Sequence, residues 1–193
     1  VAPLKTVSDT ASDFETRLVW DVENAVSAAA LKNAALAEVD SLKDFEDVMG
    51  EGFAQNMPAV KAFVENGTTD AASVKTELKN IFLRVRPALQ PSSTDKQDPD
   101  WSFPSGHSTR AGARARLLAA IAPEKELQLL KDATLMCFNR MMLGRHYPTD
   151  ITGGFVLGQA AAQRILDAAK ADPDSQAAKD LEAARKEWGS ARK

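Results

Sequence analysis

The stretch Pro104–Ala122, PSGHSTRAGARARLLAAIA, decides how the chain is read. Its opening is turn-forming, and the remainder is rich in residues that favour helix. Ser105 is suited to cap a helix start with its hydroxyl, and Gly106 leaves room for another group to approach the backbone. The pattern predicts a helix from about Ser105 to Ala122. Ala111, Gly112, Ala113 and Ala115 read as close helix packing rather than chemistry. Pro123 fits the first turn of a following helix that reaches about Met142, and Pro148 opens another that ends near Ala171.

Upstream the signals are of the same kind. Ala, Leu, Glu and Lys dominate the first half, and Phe14, Leu18, Val22, Val26 and Ala29 recur at one-face helical spacing, predicting a helix over Asp9–Ala30. A second is expected over Ala34–Met49, with a break at Gly50 and Gly52. A short helix should open at Pro58 and close near Glu65 before Asn66-Gly67, and another should run from Asp70 to Val85, stopped by Pro87. Residues 88–104 read as the one long irregular stretch, a length that in compact domains is usually functional or disordered. From Asp172 onward, alternating charges and Ala predict an exposed, polar terminal helix. With no strand-like segment and no internal repeat, the expectation is an all-α, single-domain helical bundle over residues 1–193.

Composition limits the function classes. Hydrophobic residues at 44% and charged residues at 26% are ordinary for a globular chain. A net charge of −3 gives no broad basic surface for nucleic acid, so any anion must be met by a local cluster of cations. The single cysteine, Cys137, excludes an intrachain disulfide. No membrane span is expected, because the most apolar stretch, Ile151–Ala168, is interrupted by Gln159, Gln163 and Arg164. The chain opens at Val1, as an exported protein with its leader removed would.

Chemistry-bearing residues gather in three places. Lys79 and Arg86 stand seven apart, nearly one face of a helix, with Arg84 as the exposed cation of the group. Pro104-Ser105-Gly106-His107 places free amide N–H groups, the positive end of a helix dipole and an imidazole at one helix start, which suits an anion and a proton donor to a leaving oxygen. Arg140-x5-His146-x3-Asp150 puts a carboxylate where it can reach the Nδ1 of His146, leaving Nε2 as a nucleophile, while Arg140 can bind phosphate through two parallel bonds. Each cluster alone has a plain reading: a solvated basic helix end, a capped helix, a structural histidine–aspartate pair. Together they hold what phosphoryl transfer demands, namely a nucleophile, an acid, and cations around charged equatorial oxygens. Gly153, Gly154 and Gly158 read as helix contacts, and Trp101 or Phe103 either stacks on a substrate ring or packs.

Lys79-x6-Arg86-Pro87, Pro104-Ser105-Gly106-His107 and Arg140-x5-His146-x3-Asp150 resemble the three-part signature of the phosphatidic acid phosphatase type 2 superfamily, which also contains vanadium haloperoxidases. The small helical chain is most similar to its bacterial class A non-specific acid phosphatases. The resemblance implies that His146 is the nucleophile, Asp150 its partner and His107 the acid. Lys79, Arg86 and Arg140 would then bind phosphate, assisted by Ser105 and the Gly106 N–H. It further implies an acid phosphatase acting on small phosphate esters through a phosphohistidine, with transfer to alcohols open, no metal and no cofactor. The group is commonly periplasmic or secreted and often forms homodimers; a cytoplasmic location stays open. Asn139 departs from the Ser usual before the third-motif Arg. Three alternatives remain: a lipid phosphate or pyrophosphate phosphatase, a vanadate-dependent haloperoxidase, and a non-catalytic phosphate-binding module.

Overall fold

The computed structural model describes residues 9–27, 29, 30, 32, 41–87 and 101–191. Most of the predicted loop at 88–104 and the start of the helix expected from Ala34 lie outside them. Among the described residues every regular element is a helix and none is a strand. Helix α1 spans Asp9–Ala25. A 3-10 turn at Leu42–Phe45 leads into α2 at Glu46–Met49, and α3 is Phe53–Asn56. The long helices are α4 (Pro58–Phe82), α5 (Gly106–Ile121), α6 (Glu126–Met142), α7 (Pro148–Ala171) and α8 (Gln176–Ser190).

Helix α5 is the axis of the fold. Ser105 caps it as expected, its hydroxyl accepting from the Ser108 N–H at 3.3 Å. Twelve of its 16 residues are buried, so it shows little amphipathicity: helices α4, α6, α7 and α8 all pack on it. Its small residues set the separations. A Cβ on Gly158 of α7 would lie 1.9 Å from the Thr109 carbonyl oxygen, and one on Gly154 would lie 2.4 Å from that of Ser105. A Cβ on Gly112 of α5 would lie 2.5 Å from the Phe155 oxygen. The two helices thus meet backbone to backbone, and the start of α7 is pinned beside the start of α5. At the other end of α5, Leu117, Leu118 and Ile121 join Phe45, Phe53, Val60, Val64 and Leu129 in the main core.

Several expectations need correction. The helix expected over Ala34–Met49 does not run through Ser41, which is extended and caps the 3-10 turn at Leu42–Phe45. No break occurs at Asn66-Gly67: α4 runs unbroken from Pro58 to Phe82. Gly67 serves packing, since a Cβ there would come within 2.8 Å of a Leu117 methyl. The same helix ends at Phe82, before Val85, because Leu83 turns into the left-handed region (φ 47°) while its N–H still bonds the Lys79 carbonyl at 3.0 Å. The buried line of α1 passes through Glu15 and Val19, leaving Phe14 68% exposed. Finally, the terminal helix is docked rather than exposed. Leu181, Ala184 and Trp188 are buried, Glu187 accepts from the Val60 N–H in the first turn of α4 at 2.9 Å, and Arg185 donates to the Ala120 carbonyl at 2.8 Å. A carboxylate at a helix start and a cation at a helix end both satisfy groups the helices leave open.

Candidate active site

The two histidines come from abutting helix starts. His146 stands two residues before α7, and His107 is the second residue of α5. The Ser105 N–H donates to the Asp150 carbonyl at 3.0 Å, which ties the two starts together. His146 is 1% exposed and Asp150 is fully buried, whereas His107 is half-buried.

Asp150 lies in the first turn of α7, and its Oδ2 is 3.6 Å from Nδ1 of His146. Oδ2 also accepts from the Ser102 hydroxyl at 2.5 Å and from the Tyr147 N–H at 2.9 Å, and Oδ1 accepts from Arg84 at 2.7 Å. Every partner of this carboxylate is a donor or a cation. Burial works to raise the Asp150 pKa, but the neighbouring His146, Arg84 and Ser102 outweigh it and hold the group below the usual carboxylate value. On the other edge of the imidazole, Nε2 lies 3.4 Å from the Arg86 guanidinium. Burial first, then the charges of Arg86 and Arg140 against the opposing Asp150, push His146 down to about 4. It is therefore neutral near pH 7. With the proton on Nδ1, facing Asp150, the Nε2 lone pair faces the Arg86 guanidinium.

The cations arrive by different routes. Arg140 is buried in the last turn of α6, and Lys79 is buried on α4, its ammonium donating to the Trp101 carbonyl. Arg86 is not on the helix with Lys79. Residues 83–87 are non-helical, and Leu83 and Val85 face solvent while Arg84 and Arg86 are half-buried, an alternation of period two. The left-handed turn at Leu83, rather than helical phase, brings Arg86 to His146. Gly106 opens α5, and a Cβ there would meet the Lys75 ammonium at 3.2 Å and Arg110 at 3.5 Å, so two further cations stand over this helix start. Ser105 is wholly buried and its hydroxyl oxygen serves as the cap. Asn139 is half-buried on α6. Phe103 packs, edge-on to Phe82 at 4.8 Å and against Gly153. Burial pushes the Cys137 thiol up to about 11, which keeps it protonated and poorly nucleophilic.

Sequence reading missed three contributors. Arg84 is not an exposed cation: it bonds Asp150, Thr149 and Glu15 and lies 4.0 Å over the Tyr147 ring. The alternation in residues 83–87 would have shown it, had the helix been ended at Phe82. Ser102 and Glu15 carry no signal of their own, since their partners are 48 and 69 residues away.

An all-helical fold that buries a histidine–aspartate pair against arginines, beside a capped helix start, has the form of a helical phosphatase. The chain belongs to the PAP2 superfamily, whose profile matches residues 62–171. It is 25% identical to a non-specific acid phosphatase of Providencia stuartii over 183 residues, 90% of this chain and 73% of that one. It is 27% identical to an acid phosphatase of Zymomonas mobilis over 173 residues, 86% of this chain and 63% of that one. Its fold is similar to the crystal structure of a transmembrane PAP2-type phosphatidylglycerolphosphate phosphatase from Bacillus subtilis, with a TM-score of 0.66 and 18% identity, covering 85% of this chain and 88% of that one.

That last likeness overturns the expected periplasmic or secreted location. The likeness to acid phosphatases suggested that location, but the same fold serves a protein described as transmembrane. Among the described residues, no helix is long and apolar enough to cross a membrane.

Proposed function

We propose that the chain hydrolyses phosphate monoesters through a phosphohistidine on His146. The observation that carries this reading is the two-sided setting of one buried imidazole: carboxylate at Nδ1, guanidinium at Nε2. Nε2 of His146 attacks phosphorus, and the P–N bond forms as the ester P–O bond breaks. His107 passes a proton to the leaving oxygen. Water then attacks the phosphoryl group, His107 takes a proton from it, and the P–N bond breaks to release phosphate. An alcohol in place of water gives phosphate transfer. Asp150 stabilises the positive charge that forms on His146, as a buried carboxylate does beside a catalytic histidine. Lys79, Arg86, Arg140 and the amides at the start of α5 meet the equatorial oxygens.

A leaving-group series tests the assignment of His107. In His107→Asn, turnover of alkyl phosphates should fall about 10²–10⁴-fold, while p-nitrophenyl phosphate, whose leaving group needs little proton assistance, should lose far less. Equal losses on both would remove His107 from the acid role. No wild-type turnover of either ester would remove the reaction. A second reading, a lipid phosphate ester as substrate, is favoured by exposed apolar side chains on the segments that carry Glu15 and Arg84. Phe14, Leu83 and Val85, chain neighbours of Glu15 and Arg84, are 68%, 42% and 72% exposed. Higher kcat/KM on phosphatidic acid than on small esters would select it.

A further inference from the structure

Arg84 is not among the groups that the proposed reaction uses, yet it grips the segment that carries them. One of its nitrogens donates to Asp150 Oδ1 at 2.7 Å and to Thr149 Oγ1 at 2.6 Å, and the other donates to Glu15 Oε2 at 2.5 Å. Its guanidinium lies 4.0 Å from the centre of the Tyr147 ring. Glu15 in turn accepts from the Thr149 N–H and hydroxyl, both at 3.0 Å. Residues 147, 149 and 150, directly after His146, are thus held by one arginine and one glutamate. The glutamate comes from α1, outside the stretch matched by the family profile.

We infer that Arg84 and Glu15 form a positioning pair, through which the N-terminal helix sets the orientation and the effective charge of Asp150 toward His146. On the phosphohistidine reading, on which this rests, the pair acts in two ways. Oδ1 is occupied by Arg84, so the carboxylate presents Oδ2 to Ser102 and to the Nδ1 edge of His146. An arginine alone at this place would also cancel the negative charge that His146 needs as it becomes cationic. Glu15 removes that conflict. With Arg84, Glu15 and Asp150 all charged and His146 neutral, the cluster keeps one net negative charge, available to the imidazolium in the transition state. Burial opposes charge on Arg84, but Asp150 and Glu15 outweigh it, so the guanidinium stays protonated. The guanidinium bridges the two carboxylates, one terminal nitrogen donating to each, a geometry lysine cannot reproduce in full.

The test is steady-state kinetics on p-nitrophenyl phosphate with inhibition by inorganic phosphate, per folded molecule, for wild type, Arg84→Gln, Arg84→Lys, Glu15→Gln and the double variant Glu15→Gln/Arg84→Gln. Arg84→Gln should lower kcat about 10–100-fold, the range seen when a group that orients another's ligand is lost. Glu15→Gln, nearly isosteric, should lower it about tenfold through charge. The inhibition constant for phosphate should stay within about twofold, because neither residue is assigned to the phosphate. Arg84→Lys should recover part of kcat, and the double variant should be no worse than Arg84→Gln alone, since the two act as one unit. If both single variants keep wild-type kcat while only their melting temperatures fall, the pair is structural and the inference is overturned. Wild-type turnover in the same assay keeps that failure distinct from failure of the phosphatase reading itself.

Discussion

Replacing Asp150 by Asn should disable the site in a way the hydrogen bonds foretell. Four groups approach this carboxylate: the Ser102 hydroxyl at 2.5 Å, the Tyr147 N–H at 2.9 Å, Arg84 at 2.7 Å and Nδ1 of His146 at 3.6 Å. An amide keeps one acceptor and puts an NH2 in place of the other. If the NH2 faces Arg84, two donors collide and a half-buried guanidinium loses a counter-ion. If it faces Tyr147, a backbone N–H is orphaned and Nδ1 of His146 is driven to accept, which moves the imidazole proton to Nε2 and removes the lone pair needed for attack. Breaking a buried ion pair from one side costs about 3–5 kcal/mol. At about 2–4 °C per kcal/mol for a chain of this size, the melting temperature should fall by about 10 °C. The wrong tautomer should lower kcat by about 10⁴-fold, the loss an Asp-to-Asn change produces in a catalytic triad. The assay is kcat on p-nitrophenyl phosphate, with circular dichroism melting on the same samples. A variant that keeps kcat within tenfold would refute the role given to Asp150, and an unchanged melting temperature would refute the claim that all its partners donate.

Stability should depend on His146 below neutral pH. Its folded value of about 4 lies below an unfolded value near 6.5, so the unfolded state binds the proton first and stability is lost as pH falls from about 6.5 to about 4, by about 3 kcal/mol in all. Urea unfolding at intervals across that window should show the loss in wild type and a smaller one in His146→Gln; parallel curves would contradict it. Asp150, held low, loses its contribution only below its ordinary value near 3.8, so the two groups separate on the pH axis. Gly158→Ala would place a methyl 1.9 Å from the Thr109 oxygen, forcing α5 and α7 apart at a cost of about 3 kcal/mol or more, whereas Gly189→Ala meets nothing within 4 Å and should stabilise α8 by about 0.5–1 kcal/mol. Thermal melts of the two variants should move in opposite directions, and a shared direction would count against the packing described for α5 and α7.

Most of the fold was legible because punctuation and period agree in the second half of the chain. Ser105 and Pro148 mark helix starts that the structure keeps, Pro123 opens a 3-10 turn that leads into α6 at Glu126, and the small residues after His107 and along α7 read correctly as contact surface. Errors fell where one residue type has two uses. Gly67 reads locally as a helix end, but it is there to let Leu117 approach. Phe14 reads as core, but Glu15 is buried in its place, in an ion pair with Arg84. Of the site, the pairing of His146 with Asp150 was visible in a four-residue spacing, since a helix start sets that geometry by itself. Ser102, Arg84 and Glu15 meet Asp150 only through tertiary packing across long sequence separations, which spacing cannot encode.

Transfer of a phosphoryl group to His146 is the central claim, and the direct measurement is to locate that group. Wild-type protein mixed with phosphorus-labelled p-nitrophenyl phosphate and quenched in denaturant should carry an acid-labile, alkali-stable label. Peptide mapping should place it on His146, and His146→Ala should carry none. Label on His107, or label that persists in His146→Ala, would contradict the account.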